Sequence, residues 1–218
     1  MTYEELIRDD SVRTYIAAAD RSLAELGYTE HSFPHVTRVA TDAARILSAL
    51  GYTPHEIELA RIAGYLHDIG NLVNRVDHSQ SGGVMAFRIL DRMQMPASDI
   101  AEIVTAIGNH DEGTGIPVNP ISAALILADK SDVRRSRVRD VNDAALDIHD
   151  RVNYSVEHSE LTLDPTAKEI LLHLTIDTSI SSVMDYFEIF LGRMMMCRKA
   201  AERLGMRFRL HINGQTLL

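Results

Sequence analysis

Two adjacent polar residues end an otherwise apolar segment and restrict what this chain can do. His67 and Asp68 directly follow the run Ala63 to Leu66, whose composition is typical of a buried helix. Burying two polar side chains next to each other is costly unless something binds them. A divalent metal ion is the natural partner of an imidazole and a carboxylate. The pair therefore predicts a metal site, provided that other segments supply further ligands.

The overall composition is that of an ordinary globular protein. The chain has 218 residues, enough for one large domain or for a domain of about 150 residues with a smaller appendage. Hydrophobic residues make up 45% and charged residues 24%, a balance that excludes disordered and fibrous classes. The net charge of −9 argues against nucleic-acid or membrane partners, because those surfaces require clustered Lys and Arg.

Cysteine content and the amino-terminal residues predict a cytoplasmic protein. Cys197 is the only cysteine, which excludes an intramolecular disulfide and a cysteine-rich zinc site. The first residues contain no basic segment followed by an apolar run. No stretch reaches the roughly 20 apolar residues of a membrane span.

The first 150 residues show the apolar spacing of successive helices. Capping residues or prolines mark several helix starts, namely Thr2 with Glu5, Pro34, Thr53 with Pro54, and Asn119 with Pro120. The helix that begins after Thr53 delivers His67 and Asp68. A later helix, which follows His78, is predicted to bury Val84, Phe87, Leu90 and Met93.

Beyond residue 150 the pattern changes. Leu and Ile alternate with other residues over 170–176 and 208–212, which predicts strands, and a further strand is predicted over 152–164. A helical stripe runs from Val183 to Leu204. The predicted fold is therefore mainly α, with a helical bundle over residues 1–150 and a small α+β segment over 151–218. The exposed strand edges of so small a sheet lead us to expect a homodimer.

Six polar residues occupy inward-facing or helix-terminal positions: His35, His67, Asp68, His78, His110 and Asp129. A single inward histidine is more often a hydrogen-bonded core residue than a ligand, so the prediction depends on the joint pattern. Four imidazoles and two carboxylates suit a borderline ion such as Fe, Mn, Ni or Zn. The other histidines lack such a setting and are predicted to be surface or strand residues: His31, His55, His149, His158, His173 and His211.

The order of these residues resembles the HD superfamily of helical metal-dependent phosphohydrolases, over residues 30–140. The resemblance implies that His35, His67, Asp68 and Asp129 hold one metal ion. It also implies that His78 and His110 join Asp68 around a second ion.

Three motifs look most like the branch that contains symmetrical dinucleoside tetraphosphatases. They are H-x-x-x-G-G at 78–83, AIGNHDEGTG at 106–115 and LILADKSD at 125–132. Asn71 departs from the family pattern, because many members have Lys at that position. A contact between that Lys and the substrate phosphate is therefore not expected here.

The resemblance implies an enzyme that hydrolyses a phosphate ester or anhydride of a nucleotide or another small phosphorylated molecule. Its cofactor would be a divalent metal, Fe, Mn, Ni, Mg or Zn, with two ions expected. Such ions lower the pKa of a bound water and hold the phosphate between them. The ligands alone leave two alternatives open. One is a di-iron oxygenase of the same fold, which activates dioxygen instead of water, and the other is a metal-stabilised regulatory or binding module.

A basic run follows Asp129 and consists of Lys130, Arg134, Arg135, Arg137 and Arg139. Guanidinium groups beside a metal ligand can bind phosphate oxygens in a bidentate manner. We predict that Arg134 or Arg135 faces the substrate and that Arg137 and Arg139 are solvated. Lys130 either faces the cleft or supports Asp129. The predicted catalytic residues are therefore Asp68, Lys130, Arg134 and Arg135.

Overall fold

The computed structural model describes residues 1–139 and 147–217. These residues form the helices α1 (Tyr3–Leu6), α2 (Asp10–Glu25), α3 (Phe33–Ala49), α4 (Pro54–Leu66), α5 (His78–Arg92), α6 (Ala97–Gly108), α7 (Pro120–Lys130), α8 (Ile148–Ser155) and α9 (Val183–Arg203). Two 3₁₀ turns span Ile69–Leu72 and Arg135–Arg137. The strands are β1 (Val156–Asp164), β2 (Glu169–Ile176), β3 (Arg207–Ile212) and β4 (Gln215–Thr216). The predicted mainly α fold with a small late sheet is confirmed. Among the helices of these described residues, none is long and apolar enough to cross a membrane.

Reciprocal caps start the helices at the predicted positions. Thr53 and Glu56 exchange side-chain and backbone hydrogen bonds at the start of α4, and Asn119 and Ser122 do the same for α7. Pro34 lies in the first turn of α3, where its missing N–H would have no partner within the helix. Each cap satisfies a backbone N–H that the helix itself leaves unpaired. The caps therefore determine where α4 and α7 begin.

Two glycines allow the elements that carry the predicted ligands to approach each other closely. A Cβ atom on Gly64 would lie 2.7 Å from the Cα atom of Ala40, so α4 can pack this closely on α3 only with glycine there. Gly70 lies directly against the His78 carbonyl and the Gly82 amide, where a Cβ atom would also collide. These contacts bring the start of α3 to the end of α4, and the start of α5 to the turn after α4.

The strands form one sheet in the order β1-β2-β3-β4, with β2 and β3 parallel and the other two pairs antiparallel. A parallel pair requires a crossover connection, which α9 provides. The predicted strand over 152–164 is wrong in its first part, because Ile148–Ser155 is helical and the strand begins at Val156. The reason is local: the Asp147 side chain accepts a hydrogen bond from the Asp150 amide and caps α8.

One hydrophobic core continues across residue 150. The helix α7 is buried on all sides, and α9 packs against both α7 and β3. The buried side chains of α9 include Tyr186, Phe190, Met194 and Cys197. They belong to the same cluster as the cores of α3 and α4. The division into residues 1–150 and 151–218 stays a prediction.

The outer edge of β1 is covered by α3. Arg38 and Arg45 donate hydrogen bonds to the carbonyl oxygens of Ser159 and Leu161, at 3.1 and 2.7 Å. At the other edge of the sheet, β4 has only two residues. A covered or very short edge offers few free backbone groups to a second copy. The homodimer stays a prediction, and these contacts do not favour pairing through β1.

The apolar stripe predicted for α5 is only partly correct. Leu90 is buried, but the side chains of Val84 and Phe87 are largely exposed, at 71% and 52%. The buried face contains small residues such as Gly82 and Ala86, because α5 packs closely on α6 and on the turn after α4. Small residues contribute little to an apolar periodicity, which is why the pattern selected the wrong face.

Two adjacent methionines of α9 test whether this helix belongs to the core. Met194 is fully buried, whereas Met195 is 36% exposed. We expect Met194→Ala to lower the free energy of unfolding by about 2–5 kcal/mol, because it leaves a cavity, and Met195→Ala to change it by about 0.5 kcal/mol or less. Urea unfolding of both variants measures the difference. Equal effects would contradict the orientation of α9 described above.

Candidate metal centre and substrate cleft

Helix ends bring the six predicted ligands together. His35 lies in the first turn of α3, His67 and Asp68 follow α4, His78 begins α5, His110 follows α6, and Asp129 lies near the end of α7. All six residues are at most 9% exposed. Since each helix is fixed by its own packing in the core, the ligand positions are set by the fold and not by flexible loops.

Four of these residues form a compact group. The Nε2 atom of His35 lies 3.3 Å from Nε2 of His67, 3.5 Å from Oδ2 of Asp68 and 3.4 Å from Oδ1 of Asp129. His67 Nε2 lies 3.3 Å from the same Asp68 oxygen and 3.6 Å from the same Asp129 oxygen. Atoms that surround one ion tetrahedrally at about 2.1 Å are separated by about 3.4 Å. The group therefore has the spacing of a metal-binding site.

A second group shares Asp68 with the first. The other oxygen of Asp68, Oδ1, lies 3.5 Å from Nε2 of His78 and 4.0 Å from Nε2 of His110. The two imidazole nitrogens are 3.1 Å apart. The two oxygens of one carboxylate thus face two different histidine pairs. His67 lies between the groups, since its ligand atom is also within 4.8 Å of those of Asp68 and His110.

All four histidines are oriented by their other ring nitrogen. Nδ1 of His35 lies 2.7 Å from the carboxylate of Asp132. Nδ1 of His67, His78 and His110 faces the backbone carbonyls of Gly64, Arg75 and Ile107, at 2.8, 3.1 and 2.6 Å. Carbonyl and ionised carboxylate oxygens only accept hydrogen bonds, so each Nδ1 carries a proton, and each Nε2 faces the cluster and presents a lone pair when its ring is neutral.

The facing lone pairs are the observation that fits a metal ion. His78 and His110, whose pKa values are lowered chiefly by burial, are neutral imidazoles whose Nε2 atoms lie 3.1 Å apart, and they cannot bond to each other because neither atom has a proton to donate. A divalent cation between them satisfies both lone pairs, and imidazole with carboxylate is a donor set that Zn, Fe, Mn and Ni accept. The residues present therefore fit one ion in each group, with Asp68 shared.

The charges of the cluster shift its pKa values strongly. Burial opposes a charge on His67, but the carboxylates of Asp68 and Asp129 outweigh it and raise the pKa of His67 to about 10. Burial likewise opposes ionisation of Asp68, yet His67 and His35 hold the pKa of that carboxyl well below its usual range. Burial and the neighbouring positive charges of His67 and Lys130 lower the pKa of His110. Without metal, His67 is therefore protonated and carries a positive charge between the carboxylates of Asp68 and Asp129.

Asp132 supports His35 from outside the cluster. Its side chain is 1% exposed and lies within reach of three arginines: Arg134 at 2.8 Å, Arg38 at 3.3 Å and Arg137 at 3.8 Å. Burial opposes ionisation, but the hydrogen bond from His35 and the charge of Arg137 keep the pKa of Asp132 far below its ordinary value. A carboxylate behind a ligating histidine fixes its ring and raises its basicity.

A chain of ion pairs supports Asp129 in the same way. Lys130 is buried, and its Nζ atom lies 2.7 Å from Oδ2 of Asp129 and 3.3 Å from Oε1 of Glu112. That glutamate oxygen lies 2.8 Å from Nε of Arg193, on α9. Burial acts against ionisation of Glu112, but the charges of Lys130 and Arg193 lower its pKa to about 2. Lys130 therefore supports Asp129, the second of its two predicted roles.

A cleft of about 310 Å³ lies against the cluster. Its lining includes His31, Arg75, Glu112, Arg137 and Arg193. Nη1 of Arg75 lies 3.4 Å from Nε2 of His78, and the His31 and His35 rings are 5.5 Å apart between centroids. The cleft therefore lies beside the predicted ligands, which it adjoins through Arg75 and His31.

The structure places Arg134 and Arg135 elsewhere. Arg134 pairs with Asp132 and Glu30. The Arg135 guanidinium donates to the Tyr154 carbonyl oxygen at 2.6 Å and lies 4.7 Å from the centroid of that ring. Both arginines line a separate surface groove beside β1. The 3₁₀ turn Arg135–Arg137 directs them away from the cleft, so the geometry does not support the predicted substrate contacts.

Three basic residues that face the cleft were not predicted there. Arg137 was expected to be solvated, but it is 4% exposed and donates to the Glu30 and Asp132 carbonyls. His31 was expected at the surface, but burial and the charge of Arg137 lower its pKa well below the usual value. Arg75, in the loop before α5, was not singled out at all. Its proximity to His78, three residues later, was the only available signal.

Comparison with known proteins gives the family. A model of the HD domain family matches residues 33–155, and the chain belongs to this family. The Uncharacterized protein MJ1020 of Methanocaldococcus jannaschii is 26% identical over 185 residues, which cover 74% of this chain and 71% of that protein. The crystal structure of a predicted HD superfamily hydrolase from an uncultured Thermotogales bacterium shares 26% identity, covers 62% of this chain and 75% of that one, and superposes with a TM-score of 0.45.

Replacement of single ligands should separate the two groups. We expect Asp68→Ala to reduce metal content at both positions, because both groups lose an oxygen ligand, whereas His78→Ala should spare the group around His35. Elemental analysis of metal-reconstituted protein measures the number of bound ions. His55→Ala is the control, since His55 is exposed and, within residues 1–139 and 147–217, bonds only to Asp99. Full metal content in Asp68→Ala would contradict the site.

Metal binding should release protons. Because the pKa of His67 is about 10 without metal, the imidazole is protonated at pH 7.5 and an ion must displace that proton. We expect zinc or manganese affinity to rise with pH. Calorimetric titrations at one pH, in buffers with different enthalpies of ionisation, count the released protons. A binding enthalpy that is independent of the buffer would contradict this assignment.

Proposed function

We propose that this protein is a metal-dependent phosphohydrolase that acts on a small phosphorylated molecule. Membership of the HD family supports a metal-dependent hydrolase. The observation that carries the proposal is the position of Asp68, whose two oxygens each face a different histidine pair at 3.3 to 4.0 Å. A carboxylate shared in this way is the arrangement that a two-metal hydrolase requires.

The chain's residues would hold two ions in these groups, His35, His67, Asp68 and Asp129 around one and His78, His110 and Asp68 around the other. Two such ions acidify a bound water and neutralise charge on a phosphate. Hydrolysis forms one P–O bond to the water oxygen, breaks the P–O bond to the leaving group and transfers a proton to the leaving oxygen. Asp132 and Lys130 keep His35 and Asp129 in position during this exchange.

Arg75 supports a phosphate as the group that is attacked. Its guanidinium lies at the open side of the second group, 3.4 Å from His78 Nε2 and 3.3 Å from the Asn71 side-chain oxygen. A guanidinium in this position can bind the oxygens of a phosphate while the ligands hold the metals. Asn71 also donates to both the backbone and the side-chain oxygen of Asp68. Arg75 thus takes the place of a lysine at position 71 as the nearby cation.

The size of the cleft supports a small substrate. A volume of about 310 Å³ is at the lower end of the range for small-molecule sites, roughly 300–1,000 Å³. The tetraphosphatase-like branch suggested by the motifs stays a proposal. A nucleotide or a sugar phosphate suits this volume better than a dinucleoside polyphosphate that is fully enclosed.

The di-iron oxygenase is the alternative that the ligand set alone does not separate. The Arg75 guanidinium beside His78 favours a phosphate substrate over an uncharged one. Phosphate release under anaerobic conditions distinguishes the reactions, since hydrolysis needs no dioxygen. Oxygen uptake with a candidate substrate, and no phosphate release without oxygen, would favour the oxygenase.

Arg75 gives the direct test of the hydrolase. Metal-reconstituted protein should release phosphate from nucleotides or generic phosphate esters. We expect Arg75→Gln to lower kcat/KM by about tenfold or more, a loss of about 1.4 kcal/mol of transition-state binding, with unchanged metal content. Arg88→Gln on the exposed side of α5 is the matched control. Equal rates for the Arg75 and Arg88 variants would contradict the role of Arg75, and no phosphate release by any metal form would contradict the hydrolase.

A further inference from the structure

The segment beyond residue 155 lies outside the HD family match, yet it contributes to the cleft. Ile189, Gly192 and Arg193 of α9 line the same cavity as Arg75 and His31. The side chain of Arg193 is 23% exposed. It therefore lies at the cavity wall, neither in bulk solvent nor within the core.

Two contacts hold the guanidinium of Arg193 in place. Its Cζ atom lies 4.4 Å from the centroid of the Phe190 ring, one helical turn earlier. Its Nε atom lies 2.8 Å from Oε1 of Glu112. A planar guanidinium that stacks on an aromatic ring and is paired with a carboxylate loses little further freedom when it binds a ligand.

The hydrogen-bonding capacity of Arg193 is nevertheless unused. The Glu112 oxygen is buried and has no hydrogen-bond partner, so the short contact with Arg193 is an ion pair without a directed N–H bond. Among the described residues, no protein acceptor takes a hydrogen bond from the Arg193 guanidinium. An arginine has five N–H donors in a planar fork. Arg193 lines the cleft, so the N–H groups of its guanidinium are available to a ligand that carries hydrogen-bond acceptors.

The position of Arg193 relative to the predicted ligands indicates which acceptor it meets. Arg193 is connected to Asp129 through Glu112 and Lys130, by contacts of 2.8, 3.3 and 2.7 Å. Lys130 is committed to Asp129, and Arg75 lies beside His78 on the other group. Under the proposed function, the phosphate that is attacked would be bound by the metal ions and by Arg75. Arg193 is then the cation that can contact the group of the substrate next to that phosphate.

We infer that Arg193 binds a second phosphate of the substrate, adjacent to the one that is hydrolysed, so that the carboxy-terminal segment selects diphosphate-type substrates over simple monophosphates. The inference rests on the proposed phosphohydrolase function. It assigns to α9 a specificity-determining contact in addition to its packing on α7.

Binding of two non-hydrolysable probes tests the inference. Methylenediphosphonate carries two linked anionic groups, and methylphosphonate carries one. Calorimetry with the metal-loaded and the metal-free full-length protein gives both affinities. We expect Arg193→Gln to weaken methylenediphosphonate binding by about tenfold or more and methylphosphonate binding by about threefold or less, because charged, forked hydrogen bonds are lost only to the second group.

Matched variants separate this role from a structural ion pair. Arg198→Gln is the control, because Arg198 lies on the same helix, is exposed and contacts only Glu202 among the described residues. Arg193→Lys keeps the charge but not the fork, and should bind the diphosphonate with intermediate affinity. Glu112→Gln breaks the same ion pair but keeps the guanidinium, so it should weaken diphosphonate binding less than Arg193→Gln does. Thermal unfolding of each variant shows whether it is folded.

The outcomes are distinct. Equal weakening of diphosphonate binding by Arg193→Gln and Glu112→Gln, or no selective weakening by Arg193→Gln, would overturn the inference and make Arg193 a structural residue. If the Arg193 dependence is found but no phosphate compound is hydrolysed, the proposed function fails and the binding site stands. If phosphate is released and neither binding nor hydrolysis depends on Arg193, the proposed function stands and the inference about Arg193 fails.

Discussion

The Nε2 atoms of four buried imidazoles point at one another and at the carboxylates of Asp68 and Asp129, and the helix termini that carry them converge on this cluster. Each Nδ1–H group donates a hydrogen bond to a nearby backbone carbonyl or to the carboxylate of Asp132. The four Nε2 atoms are therefore the ring nitrogens that are left to bind a metal ion. They come from the ends of α3, α4, α5 and α6, so an ion at each group links helices that are far apart in the sequence. Metal binding and the stability of the fold are coupled for this reason.

The residues around the cluster balance its charge. Asp129 and Asp68 place two negative charges in the interior, and burying them without partners would be prohibitive. Lys130 compensates one side, and His35 and His67 compensate the other while no metal is bound. Asp132 adds a third carboxylate, which Arg38, Arg134 and Arg137 offset. Two members of the basic run after Asp129, Arg134 and Arg137, thus neutralise a supporting carboxylate.

Much of the fold could be predicted from the sequence, and so could the convergence of the six polar residues. Helix starts were readable because caps are local, as Thr53 with Glu56 shows. The contributions of His31, Arg75 and Arg193 were not readable, because the cleft brings together three segments that are distant in the chain. Arg134 and Arg135 were chosen for their closeness to Asp129 in sequence, but the structure places both in a separate surface groove beside β1. Local sequence patterns predict the helices and the metal ligands, whereas the residues that line the cleft are brought together only by tertiary packing.

The complete burial of α7 has a consequence for how the chain is made. Every residue of this helix from Ile121 to Lys130 is buried, in part by α9, whose centre lies about 60 residues beyond the end of α7. At a synthesis rate of about 5–20 residues per second, the ribosome needs roughly 3 to 12 s to make that cover. During this interval the nascent chain presents a hydrophobic surface beside a half-assembled cluster of histidines. We expect chaperones to recognise this surface in newly made protein until α9 has emerged.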